Sequence, residues 1–152
     1  MSPPNRVLLV ANRTAAGEAL LDAVESRARP GPATFHLVVP ATPMGLHRVV
    51  DPEVAGRTEA EEQLSLALPL LETRAGGPVT GEVGSADPFA AVQDALGRGE
   101  FDEIVISTLP GRISRWLKVD LVSKVRGLGL PVTHVQSPAA TADTAERASA
   151  SA

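Results

Sequence analysis

The chain contains no cysteine. Disulfides, thiolate nucleophiles and thiolate-held metals are therefore excluded. Tyrosine is also absent, and the aromatic residues are Phe35, Phe89, Phe101 and Trp116. So few rings cannot form a stacking platform for single-stranded nucleic acid. Lysine is reduced to Lys118 and Lys124, and the net charge is -4. A nucleic-acid module would need a basic face, so this balance speaks against one. No apolar run approaches the roughly 18–20 residues of a membrane span. The start, Met1 to Arg6, leads straight into Val7-Leu8-Leu9-Val10. That run is shorter than a secretory core, so the expected compartment is the cytoplasm.

What is present is a chain of 152 residues, 43% of them apolar and grouped in short runs. That is the size of one domain with one real core. Val7 to Ala11 is a β-branched and leucine run that suits a strand buried on both faces. Thr14 to Arg27 follows with Leu20, Leu21 and Val24 at helical spacing, and Arg29-Pro30-Gly31-Pro32 stops it. Phe35 to Val39 reads as the second strand. After an irregular stretch, Ala41 to Gly56, Thr58 and Glu61 form a capping-box pattern that opens a helix. Leu64, Leu68 and Leu71 share one face of that helix, and Pro69 should kink it.

Val79 to Val83 reads as a third strand. Asp87-Pro88 is an N-cap and first-turn pair for a helix carrying Phe89, Val92 and Leu96. Ile104-Val105-Ile106 is the clearest strand. The loop Ser107-Thr108-Leu109-Pro110-Gly111-Arg112 follows, then a helical turn around Ile113, Trp116 and Leu117. Trp116 reads as packing for that turn, with a docking role as the alternative. Asp120 can cap a further helix through Leu128, and Pro131 to Val135 is the fifth strand. Residues 137–152 hold no large apolar side chain and are expected to form a disordered tail beyond a domain of residues 1–136. Strand and helix alternate throughout, which predicts an α/β domain with a doubly wound, open, five-stranded parallel sheet. Such sheets take ligands at the carboxyl ends of their strands, where the winding reverses.

Several segments, in this order, resemble the universal stress protein family. Arg6 to Thr14 is similar to its first strand and turn. Val83-Gly84-Ser85-Ala86-Asp87-Pro88 is similar to its third strand passing into a helix. Phe101 to Thr108 is similar to its fourth strand, and Leu130-Pro131-Val132-Thr133-His134-Val135 to its last. The resemblance spans about residues 6–136. It implies the strand order 3-2-1-4-5 of flavodoxin-like and adenine nucleotide alpha hydrolase-like sheets. It also implies a homodimer, here through an exposed edge at Val132 to Val135.

Some members of that family bind ATP through a Gly-x2-Gly-x9-Gly-Ser/Thr loop after strand four, where backbone N–H groups meet phosphate oxygens. Here the first glycine position is Ser107. The second is Pro110, which has no N–H to donate. The last pair falls on Asp120-Leu121, and an aspartate repels a triphosphate. Shifting the register so that Gly111 takes the second glycine position puts the pair on Leu121-Val122. The family's acidic residue after strand one is Asn12, and the glycine after it is Arg13. ATP is thus a candidate ligand by resemblance, while its motif is largely lost.

The candidate site left by this reading lies at the carboxyl ends of strands one and four. It consists of Asn12, Arg13, Thr14, Ser107, Thr108, Gly111, Arg112 and Arg115. Hydroxyls, a flexible glycine and arginine forks suit a small anion or a nucleotide. The plainer reading is a polar loop capping the flanking helices with its arginines in solvent. No Gly-x-Ser-x-Gly elbow is present, and nothing places His36, His47 or His134 as a base, so no enzyme and no metal site is expected. The acidic group Asp51, Glu53, Glu59, Glu61 and Glu62 reads as ordinary charge near a helix N-terminus. Ala41 to Gly56 reads as a surface loop, with a lid over the crevice as the alternative. Three functions follow as expectations. They are a non-enzymatic stress-response binding module, an enzyme handling a phosphorylated substrate, and an interaction domain whose pocket is closed.

Overall fold

A computed structural model of the chain describes residues 4–42, 52–111 and 114–137. Five strands run β1 (Asn5–Val10), β2 (Ala33–Pro40), β3 (Thr80–Gly84), β4 (Glu103–Thr108) and β5 (Val132–Gln136). Five helices connect them: α1 (Glu18–Ala28), α2 (Pro52–Ala75), α3 (Pro88–Arg98), α4 (Arg115–Lys118) and α5 (Leu121–Arg126). All strand pairings are parallel, and the order across the sheet is β3-β2-β1-β4-β5. The doubly wound topology expected from the sequence is the observed one.

The continuous apolar runs are explained by burial on both faces. In β1, Val7 and Leu9 join the core beneath α1 and α2, while Leu8 and Val10 join the core beneath α3 and α5. The same alternation divides Val105 from Ile104 and Ile106 in β4, and Leu37 and Val39 from Val38 in β2. Period-2 side-chain direction turns one apolar run into two half-cores. All these strand residues are fully buried, and Phe35 at the start of the β2 run is 4% exposed.

Local signals set most helix ends. Asp87 accepts a hydrogen bond from the Phe89 N–H, with Pro88 at the first helical position, as expected. Three boundaries differ from expectation. Residues 12–17 form successive turns, closed by Ala15 N–H to Asn12 C=O and Gly17 N–H to Thr14 C=O, so α1 begins at Glu18. The second helix begins at Pro52, which places the Thr58–Glu61 pattern inside it; a proline in the first turn is the start signal that prevails. Asp120 does precede α5, but with φ 56° and no side-chain cap, so it acts as a left-handed corner between α4 and α5. Pro69 lies within the continuous span of α2. Of the stretch Ala41 to Gly56, expected as a surface loop with a lid as the alternative, residues 52–56 are instead the start of α2, and residues 43–51 lie outside the described residues.

Ser137, expected as the first residue of a tail, is 6% exposed. Its N–H donates to the Thr108 carbonyl at 3.1 Å, and its Oγ accepts from the Ala19 N–H at 3.1 Å. It thus caps the first turn of α1 from the far end of the chain. A polar residue earns burial here because it satisfies an otherwise open helix donor. The remainder of the expected tail lies outside the described residues.

Candidate functional site

The ends of β1 and β4 are neighbours, with Val10 paired to Ile106. This register brings the turn after β1 against the loop after β4. Asn12, Thr14, Ser107 and Thr108 meet there, each at most 2% exposed. Four of the residues expected from the sequence are thus neighbours, and their polar groups are engaged within the protein. The Thr14 and Ser107 hydroxyls share a hydrogen bond of 2.6 Å. Asn12 Nδ2 donates to the Pro40 carbonyl at 2.7 Å. Thr108 Oγ1 and His134 Nε2 lie 2.8 Å apart in a hydrogen bond. Ser114 accepts the Leu117 N–H and so caps α4.

Of the arginines in the candidate set, Arg13 and Arg115 are exposed, and Arg112 lies outside the described residues. Pro110 and Gly111 are exposed. Pro110 contributes its carbonyl to the Ser114 N–H. The hollow lined by Asn12, Arg13, Thr14, Ser107, Thr108, Leu109, Ser114 and Trp116 has a volume of about 10 Å³, counted as space open to the centre of a water-sized sphere. Ligand pockets for drug-sized molecules span roughly 300–1,000 Å³. Trp116, at 3% exposure, packs into the core that contains Leu8, Val10 and Ile106. Packing is the role of this ring, as the plainer reading held.

Sequence reading placed no histidine beside a hydroxyl, and the structure places two. His134 reaches Thr108 because β5 pairs with β4 in the register Ile106 to His134. His36 sits between β3 side chains, its Nδ1 2.7 Å from Thr80 Oγ1 and its Nε2 2.6 Å from Glu82 Oε2. Glu82 is also ion-paired with Arg98 of α3. The register His36 to Thr80 makes this possible, and no local pattern in the sequence encodes it. The chain Thr80–His36–Glu82–Arg98 ties the edge strand β3 to β2 and α3. It borders an open hollow of about 320 Å³ at the opposite end of the sheet from the crevice, with Arg6, Glu100 and Phe101 on its far side. The charges there are mutually paired: Arg6 binds Glu100 at 2.7 Å and Asp102 at 3.1 Å. Hydrogen bonding by Arg6 holds the Asp102 carboxyl below its usual range. Among the described residues, no group of three or more His, Asp or Glu side chains could hold a metal ion. Among them too, no helix is long and apolar enough to cross a membrane.

Partial burial, followed by the charge of Arg126, lowers the pKa of His134 below its usual 6.5. The folded chain then takes up this proton at lower pH than the unfolded chain does. Stability attached to His134 is complete above the unfolded pKa and is lost as pH falls below it. A His134→Gln variant should therefore lose less melting temperature than the wild type between pH 7.5 and pH 5. Identical pH profiles for the two proteins would show that His134 carries no linkage.

No protein-family model and no curated protein matches the chain. Solved structures do match. A protein of the universal stress protein family from Burkholderia pseudomallei superposes with a TM-score of 0.61 at 19% identity, covering 88% of this chain and 96% of its own. The universal stress protein from Archaeoglobus fulgidus in complex with dAMP gives 0.52 at 20% identity, covering 89% and 99%. A universal stress protein in complex with cAMP gives 0.57 at 12% identity, covering 88% and 98%.

Proposed function

We propose that this chain, which has the universal stress protein fold, is a regulatory stress-response module without catalytic activity whose nucleotide crevice has been given over to packing. One observation carries the reading. The polar residues at the ends of β1 and β4 are buried, and the Thr14 and Ser107 hydroxyls are bonded to each other, Oγ1 and Oγ 2.6 Å apart. A phosphate would have to break that pair while gaining no N–H from Pro110. The corner at Asp120 adds negative charge where the related loops carry a glycine. The cytoplasm is the compartment that goes with this reading.

The test is isothermal titration of the full chain with ATP plus magnesium and, separately, with AMP. No saturable heat is expected from either. A second reading keeps the crevice as a monophosphate site, and it is favoured by the dAMP and cAMP held by two structural neighbours. Saturable heat with AMP alone would establish that reading and overturn the first. Saturable heat with ATP would overturn both accounts of the altered loop.

Signalling by such a module requires a protein surface. β5 is an edge strand, with Val132, His134 and Val135 half-buried and Thr133 and Gln136 exposed, and is the proposed site of homodimer pairing. Sedimentation at tens of micromolar should show a dimer. A Gln136→Pro variant, which removes an N–H turned away from β4 on the free edge, should shift it toward monomer. Wild-type protein that sediments only as monomer would sink the pairing.

A further inference from the structure

The crevice contains two buried polar atoms with no hydrogen-bond partner among the described residues, Asn12 Oδ1 and Trp116 Nε1. Both residues line the same 10 Å³ hollow. Asn12 is 2% exposed and Trp116 3% exposed, so bulk solvent cannot satisfy either. An unpaired buried polar group is destabilising, and two on residues that line one small hollow call for an occupant. The orientation of the amide is settled by its other end. Asn12 Nδ2 donates to the Pro40 carbonyl, which can only accept, so Oδ1 is the end left without a partner among the described residues. The indole nitrogen can only donate.

We propose that this hollow is a site for one water molecule, which donates to Asn12 Oδ1 and accepts from Trp116 Nε1. The inference rests on the closed-crevice reading above and deepens it. Chemistry and size agree. The occupant must offer a donor and an acceptor at once, and a space of roughly 10–15 Å³ by this measure holds one water. A phosphate fails on both counts. As an anion it presents acceptors to Asn12 Oδ1, which is itself an acceptor, and it exceeds the hollow. The water joins the turn after β1 to α4, the two segments that would have to part to admit a nucleotide. A buried water of this kind is a structural member with its own hydrogen bonds.

Trp116 is the sole tryptophan, so the full chain gives a single indole N–H resonance. A nitrogen-edited water ROE experiment should show a direct cross-peak from that resonance to a long-lived water. In an Asn12→Val variant, which removes one arm of the bridge, the cross-peak should weaken or vanish. A crystal structure should show one isolated peak of density within hydrogen-bond distance of both atoms, which keeps the proposal testable if that variant fails to fold. An indole without the cross-peak, or an Asn12 side chain turned to bond Trp116 directly, would overturn the bridge. Its failure is separable from that of the parent reading. A missing cross-peak with no nucleotide response removes the water alone. A saturable shift of the indole resonance by AMP removes the closed crevice, and the nucleotide-free ROE still decides the water.

Discussion

Trp116→Ala should lower the unfolding free energy by about 3–5 kcal/mol, the usual cost of truncating a large buried aromatic. For a domain of this size each kcal/mol moves the melting temperature by roughly 2–4 °C, so a fall of about 10 °C is expected. The ring belongs to the half-core with Leu8, Val10, Ile104 and Ile106, while its four-residue helix has little stability of its own. Removing the ring therefore leaves α4 without its main attachment to the sheet. Because the variant has lost the only tryptophan, unfolding must be followed by far-ultraviolet circular dichroism. A loss below about 1 kcal/mol, the range of exposed positions and modest contacts, would show that the ring is not packed as described.

The second large effect concerns two adjacent leucines of α2. Leu71 is fully buried in the half-core with Ala60, Ala67 and Val79, whereas Leu70 is 46% exposed. Leu71→Ala should cost about 2–5 kcal/mol. Leu70→Ala should stay within about 0.5 kcal/mol of the wild type. Chemical denaturation of the two variants side by side checks this. Equal losses would mean that the rotation of α2 about its axis is wrong. The contrast also tests the passage of α2 through Pro69, because a strong kink there would change which leucine faces the sheet.

Much of the fold could be read from residues alone because its signals are redundant. Val7 to Val10 and Ile104 to Ile106 are buried on both faces, so their apolar runs are continuous and hard to mistake. Asp87-Pro88 is a local device and acts locally. Where two local signals compete, reading fails: the Thr58–Glu61 pattern lies inside α2, and only the earlier Pro52 marks the true start. The site was legible as a set of residues and not as a state. Topology alone places Thr14 beside Ser107. Whether their hydroxyls face a ligand or each other depends on side-chain geometry that no spacing encodes. The Thr80–His36–Glu82 chain was missed for a related reason. It exists only through the register of β2 with β3, and its residues stand 44 and 46 positions apart along the chain.

The bond from Ala19 N–H to Ser137 Oγ spans 118 positions. The first helix is therefore completed by nearly the last described residue. β4 pairs with β1 across a comparable stretch, while β2 and β3 have already formed on the other side. During synthesis the β1–α1–β2 unit can assemble early, but its helix start stays open until strand five has left the ribosome and docked. A nascent chain stalled before Ser137 would hold every strand yet lack the contact that clasps the first crossover to the last.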